Sequence, residues 1–293
     1  MADMTAATMA IFTPTIWSEE ASITLRTNRV AVQTLDHRWE AGLQGAGDRV
    51  NIPRFSQNTS PSNRGAGTGT FGTGAATTFS AITETNVALI VNRYYYKADR
   101  RAVESGRQVM PVYDRLLQEG RALAIAVQID ADVLSDATNG VASLTTSVGA
   151  DNIDLTEDDF LTAETNINNA FAYSTDRFCL LSPASRGSAL KIESFRNSLY
   201  AGAIGNLDGK MGLGYIGQIL SFDVYMTGNL AAGTNGKKNA AYQRECIAYA
   251  EQLRMQTDMS TNIQDGNFYQ FITFMTCGFI KVKDANGVLL LGK

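Results

Sequence analysis

Ser56-Gln57-Asn58-Thr59-Ser60-Pro61-Ser62-Asn63-Arg64-Gly65-Ala66-Gly67-Thr68-Gly69-Thr70-Phe71-Gly72-Thr73-Gly74 opens a polar, glycine-rich stretch that runs on to Ser80. Arg64 is its only charge. Before it stands Asp48-Arg49-Val50-Asn51-Ile52-Pro53-Arg54-Phe55, and after it Ile82-Thr83-Glu84-Thr85-Asn86-Val87-Ala88-Leu89-Ile90-Val91. Both flanks read as strands, the second running to about Tyr96, with Val87, Leu89 and Val91 alternating against Asn86, Ala88 and Ile90. Together they predict a long hairpin arm. A polar segment of this length buries too little surface to offset its own ordering entropy. Loops so long inside a compact domain are functional or disordered, so a ligand, a substrate or a neighbouring subunit is expected to hold it.

The rest of the composition narrows the class. The chain has 293 residues, 44% hydrophobic and 18% charged, with a formal net charge of −4. These are ordinary values for a globular protein, and they give no basic footprint for gripping nucleic acid. Cys179, Cys246 and Cys277 are odd in number and far apart, which reads as reduced, buried thiols. The first residues lack the basic region of a secretory signal. The longest apolar stretch, residues 268–280, is too short to span a bilayer.

Outward from the hairpin, residues 1–15 read as a flexible arm, and residues 18–35 stay open between a short helix and an extended arm. Pro111 opens the strongest helix, with a stripe of Val112, Leu116, Leu123, Ala126 and Val133, extended by Leu134 and Ala137 and stopped by Asn139-Gly140. At about 1.5 Å per residue this is a rod of roughly 40 Å. Thr156-Glu157-Asp158-Asp159 resembles a capping box opening a second helix, with Phe160, Ala163, Ile167 and Phe171 as its buried face. Residues 177–181 read as a buried strand, and Ser182-Pro183 starts a third helix to about Ser194. Residues 195–215 and 228–238 read as loops, and 216–226 as one strand-like run. Residues 246–255 fit helix or strand, with strand favoured by period 2. Residues 267–283 and 288–291 close the chain as strands. The order is α+β rather than regular βαβ.

No motif completes a catalytic constellation. His37 is the only histidine, so a multi-histidine metal site is excluded, and a Ser-His-Asp triad would have to use it. Gly212-Leu213-Gly214-Tyr215-Ile216-Gly217 matches G-x-G-x-x-G, but a strand-like run follows it instead of the helix a pyrophosphate needs. Ser188-Ala189-Leu190-Lys191 matches S-x-x-K without the partner motifs of a Ser/Lys hydrolase. Glu157, Asp158 and Asp159 suit a helix N-terminus. Neither catalytic, cofactor nor metal residues are expected, and the chain is not expected to be an enzyme. What remains is a set of protrusions that make sense when neighbours bury them.

Several segments, in order, resemble the major capsid proteins of tailed bacteriophages, whose Johnson fold is shared with encapsulins and herpesvirus capsid proteins. Pro14-Thr15-Ile16-Trp17-Ser18 resembles the family's N-terminal arm. Gly47-Asp48-Arg49-Val50-Asn51-Ile52-Pro53 resembles the run entering its extended loop, and residues 79–91 the returning strand. Residues 111–136, with Ala124-Ile125-Ala126 and Asp130, resemble the spine helix. Phe178-Cys179-Leu180-Leu181-Ser182-Pro183 resembles the family's step from a strand into Ser-Pro, and residues 217–226, with Phe222-Asp223-Val224-Tyr225, resemble the strand before the axial-domain return.

The resemblance implies an N-terminal arm over 1–40, an extended hairpin loop over 41–98, a peripheral domain with the spine helix over 99–155, an axial domain over 156–245 and return strands to the peripheral domain over 246–293. It implies a structural subunit of an icosahedral head around double-stranded DNA, made in the host cytoplasm and located in the virion, with an encapsulin-like compartment shell as the alternative. Partners implied are further copies in pentameric and hexameric capsomers, a portal, non-specifically packaged DNA in the lumen and no membrane; a decoration protein is left open. Assembly contacts are expected at Trp17, Arg54, Arg64, Gly69 and Phe71. Fewer than twenty residues precede the arm motif, so a separate scaffolding protein is expected, or none. Residues 56–80 hold no lysine, so no covalent crosslink from this loop is expected.

Overall fold

The computed structural model describes residues 30–43, 47–55, 84–102, 111–192, 215–262, 266 and 268–293. The first element is a single turn of helix, α1 (Val30–Gln33). Strands β1 (Arg49–Phe55) and β2 (Glu84–Ile90) pair antiparallel with Arg49 opposite Ile90 and Phe55 opposite Glu84. This is the expected hairpin base; the stretch between them lies outside the described residues.

The second flank does not continue as one strand to Tyr96. It breaks after Val91, and β3 (Arg93–Ala102) leaves for another sheet, where it pairs with β10 (Phe268–Lys281). The change of partner forces the break: Val91 N–H still donates to Asp48 O in the hairpin, while Arg93 already faces Cys277. On the other side of β10 lies β9 (Ile247–Asn262), so this sheet has the order β3-β10-β9.

The long helix α2 (Pro111–Ser135) crosses one face of that sheet. Its buried face is Ala122, Ile125, Ala126, Ile129, Val133 and Leu134, with Gln118, Arg121 and Asp130 among them. Leu123, expected in the stripe, is 42% exposed, because the face advances by three and four from Ala122 rather than from Leu116. The helix ends at Ser135, ahead of Ala137, which is exposed. There the Asp136 carboxylate accepts the backbone N–H groups of Thr138 and Asn139 and turns the chain. Gly140 is required for a different reason than a left-handed cap: a Cβ on it would lie 2.3 Å from Val133 O.

A six-stranded sheet of order β4-β11-β8-β5-β7-β6 forms the other half. Its strands are β4 (Ser147–Gly149), β5 (Arg177–Leu181), β6 (Tyr215–Ile219), β7 (Phe222–Met226), β8 (Lys237–Gln243) and β11 (Gly287–Gly292). Residues 216–226 are therefore two strands, not one, joined by a turn in which Leu220 has φ 52°. Beside the sheet lie α3 (Glu157–Asn169) and α4 (Pro183–Ala189). The capping box at Thr156 and Asp159 closes as expected, and Ser182 caps α4 with Pro183 in its first turn.

Both faces of this sheet are buried, which is why its strands read as continuous apolar runs. Along β5, Phe178 and Leu180 join one core with α1, α2 and the three-stranded sheet, while Cys179 and Leu181 join a second core with Phe160, Ala163 and Ile167 of α3. Phe171, expected on that α3 face, lies past the helix and outside both cores. The last stretch divides, with β9 and β10 in the three-stranded sheet and β11 between β4 and β8. Among the described residues no helix is long and apolar enough to cross a membrane.

Candidate assembly surfaces

The hairpin arm is rooted rather than loosely attached. Ile52 and Leu89 at its base pack into a small third core with Leu43, Ala248, Ala250 and Val282. On the other side of β1, Arg49, Asn51 and Pro53 are exposed, and Arg54 is exposed beyond Ile52 on its own side. Gln252 Nε2 donates to Gly47 O at 2.7 Å. Gly278 in β10 allows the arm to sit close, since a Cβ there would lie 2.2 Å from Ile90 O. An isolated glycine inside a strand is a readable signal of such an approach, and it was present in the sequence.

The segment that precedes β1 is pinned through α1. Asp130, buried on α2, accepts the Ala31 backbone N–H at 2.8 Å through Oδ1. Its Oδ2 takes hydrogen bonds from Thr227 Oγ1 at 3.3 Å and Asn229 Nδ2 at 3.1 Å. One carboxylate thus ties α1, the long helix and the loop after β7. Asp36 follows, its backbone bridging β9 through Ile247 O and Tyr249 N–H. Arg38 grips its carboxylate with Nε and Nη2 at 2.8–3.0 Å. Burial raises the Asp36 pKa, but the hydrogen bonds and charge of Arg38 outweigh it and hold the carboxyl below its ordinary value of 3.8.

Two surfaces stand open. One is the face of the three-stranded sheet turned away from α2, where Tyr94 and Tyr96 are 54% and 62% exposed and the Tyr94 ring lies tilted against both Tyr96 and Phe274 with centroids 5.9 Å apart. A groove of about 450 Å³ runs along the same sheet past Ala98, Met259 and Ile272. The other is a cleft of about 890 Å³ between the arm's root, at Ile52, Pro53 and Arg54, and the segment carrying Phe171 and residues 281–286. Most charges in this cleft are paired: Glu245 meets Arg38 at 3.0 Å and Lys283 at 2.5 Å, and Lys281 meets Asp284 at 2.8 Å.

The residues that resembled chemistry have structural roles. Ser188 is buried in α4, and Lys191 pairs with Asp154 at 2.6 Å. Gly217 lies within β6, with Gly212 and Gly214 outside the described residues. His37 packs its ring against Tyr249 and makes a hydrogen bond through Nε2 to Val32 O at 2.8 Å. The three cysteines are buried and form no disulfide; desolvation pushes Cys246 up to about 12 and Cys179 higher still, so both stay thiols. Among the described residues no group of three His, Cys, Asp or Glu is placed to hold a metal ion.

Of the expected contact residues, Arg54 is exposed at the root of the arm. Trp17, Arg64, Gly69 and Phe71 lie outside the described residues. The sequence reading missed Tyr94, Tyr96 and Phe171. The Tyr94-Tyr95-Tyr96 run was a visible signal for the first two, since alternation in a strand must expose one face.

Neither a protein-family model nor a curated protein sequence matches the chain. Solved structures do. The chain is similar to a structure from Mycobacterium phage Che8 at TM-score 0.66 and 19% identity, covering 89% of this chain and 91% of that one. It is similar to the capsid of Myoviridae phage XM1 at TM-score 0.61 and 12% identity, covering 91% and 92%. A virus-like particle from Pyrococcus furiosus matches at TM-score 0.54 and 8% identity, covering 94% and 97%. A likeness along most of both chains at such low identity is one of fold: the chain has the α+β fold of tailed-phage major capsid proteins.

Proposed function

We propose that this chain is a major capsid protein, the structural subunit of the icosahedral head of a tailed double-stranded DNA bacteriophage. The observation that carries the reading is the match over about nine tenths of both chains to phage capsid structures. The architecture supports it, because a rooted arm, an exposed aromatic sheet face and a large open cleft are surfaces a neighbour would bury. Its partners are copies of itself in pentameric and hexameric capsomers, a portal, a separate scaffolding protein and the packaged DNA. Its place is the virion shell, after synthesis in the host cytoplasm, and its work is structural rather than catalytic. A net charge of −4 suits a lumen through which DNA must slide, since a strongly basic wall would bind it.

Within the subunit we propose the arm at 1–40, the extended loop at 41–98, the peripheral domain at 99–155, the axial domain at 156–245 and return strands from 246. Trp17, Arg54, Arg64, Gly69 and Phe71 are the proposed contacts of arm and loop.

An encapsulin-like compartment is the rival on the same fold. It is not favoured, because the structural matches include several phage capsids. Nuclease treatment of particles from infected cells separates the two. A head retains protected double-stranded DNA of genome length, and particles holding protein cargo and no DNA would overturn the phage reading.

A further inference from the structure

Helix α3 ends in a Schellman cap, with Ala172 N–H donating to Ile167 O at 3.3 Å and Phe171 N–H to Asn168 O at 2.9 Å. This puts Phe171 at the position just after the cap, with φ 56°. Glycine is usual there, because a Cβ is strained in the left-handed region. A bulky aromatic in that conformation is an outlier. The side chain gives nothing back within the chain, being 95% exposed.

The backbone that carries it is fixed. Buried Arg177 donates to Tyr173 O at 2.8 Å, Ala172 O at 3.1 Å, Asn168 Oδ1 at 2.7 Å and Ser221 Oγ at 3.1 Å. An aromatic ring carried on a fixed backbone costs no backbone ordering on docking and has only two side-chain torsions to lose, and such rings serve as interface anchors.

Phe171 borders the larger cleft, whose far wall carries Arg54. Arg54 is exposed and has no side-chain hydrogen bond or ion pair among the described residues. The complement lies at the other end of the same helix. Glu157 and Asp158 are exposed there, also without ion pairs among the described residues, beside the exposed side chains of Ile153 and Leu161. The 13 residues of α3 put about 20 Å between Phe171 and this end of the helix, so the ring cannot reach that apolar edge within one chain. Between two copies they match head to tail, ring and cation against apolar edge and carboxylates. Such heterologous contacts close into rings.

We propose that Phe171 and Arg54 form a docking surface for the N-terminal edge of α3 on a second copy of this chain. The proposal rests on the shell reading above and adds to it a specific contact between copies.

The test uses full-length variants that keep the fold. Asparagine tolerates the left-handed region, so Phe171→Asn is expected to melt at or above the wild-type temperature while its assembled fraction in sedimentation falls about tenfold or more. Arg54→Glu is expected to lower assembly as well, and adding Asp158→Lys to restore it at least in part. Wild-type levels of assembly in Phe171→Asn, or no recovery in the charge-swapped double variant, would overturn this contact and leave the shell reading standing. A wild-type chain that never leaves the monomer would sink both.

Discussion

Arg38 holds Asp36 in a two-pronged grip, and the consequence is a pH dependence of stability. The same direction of shift holds at Asp136, where burial raises the pKa but the backbone N–H groups of Asn139 and Thr138 and the charge of Arg93 lower it further. At Asp284 burial is likewise outweighed by Lys281 and Thr145. A carboxyl lowered in the folded state contributes fully above its unfolded value and loses that contribution as pH falls through the folded one. These three groups therefore stabilise the chain fully near neutrality, where they give no pH dependence, and lose that contribution as pH falls below about 4. Arg38→Ala is expected to cost about 1 kcal/mol at pH 7 and to weaken the acid dependence. That is below the usual range for a hydrogen bond to a charged group, because Arg38 is 60% exposed. Urea titrations of both proteins at pH 7 and pH 3.5 check this. An unchanged midpoint at pH 7 would mean that the Asp36 backbone contacts to β9 carry the corner alone.

At the scale of elements, the hairpin arm separates folding from assembly. Among the described residues it is rooted by the third core, by Gly278 beneath Ile90 and by the Gln252 hydrogen bond to Gly47, all outside 59–77. Deleting residues 59–77 is thus expected to leave the melting temperature within a few degrees of wild type and to block or deform shells. Normal shells from that deletion would make the loop an ornament.

Much of this level was legible in the sequence wherever a segment's own residues decide its structure. The capping box of Thr156 and Asp159 and the apolar run of β5 are such cases. The misses are positions decided elsewhere in the chain. The break between β2 and β3 depends on which partner each strand meets, and nothing local marks Val91 as the boundary. The α2 stripe was read through Leu123, whereas the core it faces selects Ala122 and Ile125 beside the expected Ala126 and Val133. Phe171 continued the period of α3 on paper, yet the helix stops at Asn169 and the next turn of the chain throws the ring into solvent. Of the expected assembly residues, Arg54 is exposed where the strand pattern put it; the Tyr94-Tyr95-Tyr96 run marked one exposed face of a strand, but which face is open depends on α2 packing against the other.

For the whole molecule, the three cores and three sheets of the described residues account for a stable subunit, and the open surfaces account for nothing a monomer needs. An exposed aromatic ladder, a cleft of about 890 Å³ and a rooted arm are costs for a solitary protein and assets for a shell. Negative-stain electron microscopy of the purified chain tests this most directly, over a range of concentration and salt and with scaffolding protein supplied. The expected result is closed shells of uniform diameter or ring-shaped capsomers; a monodisperse monomer under every condition would contradict the account.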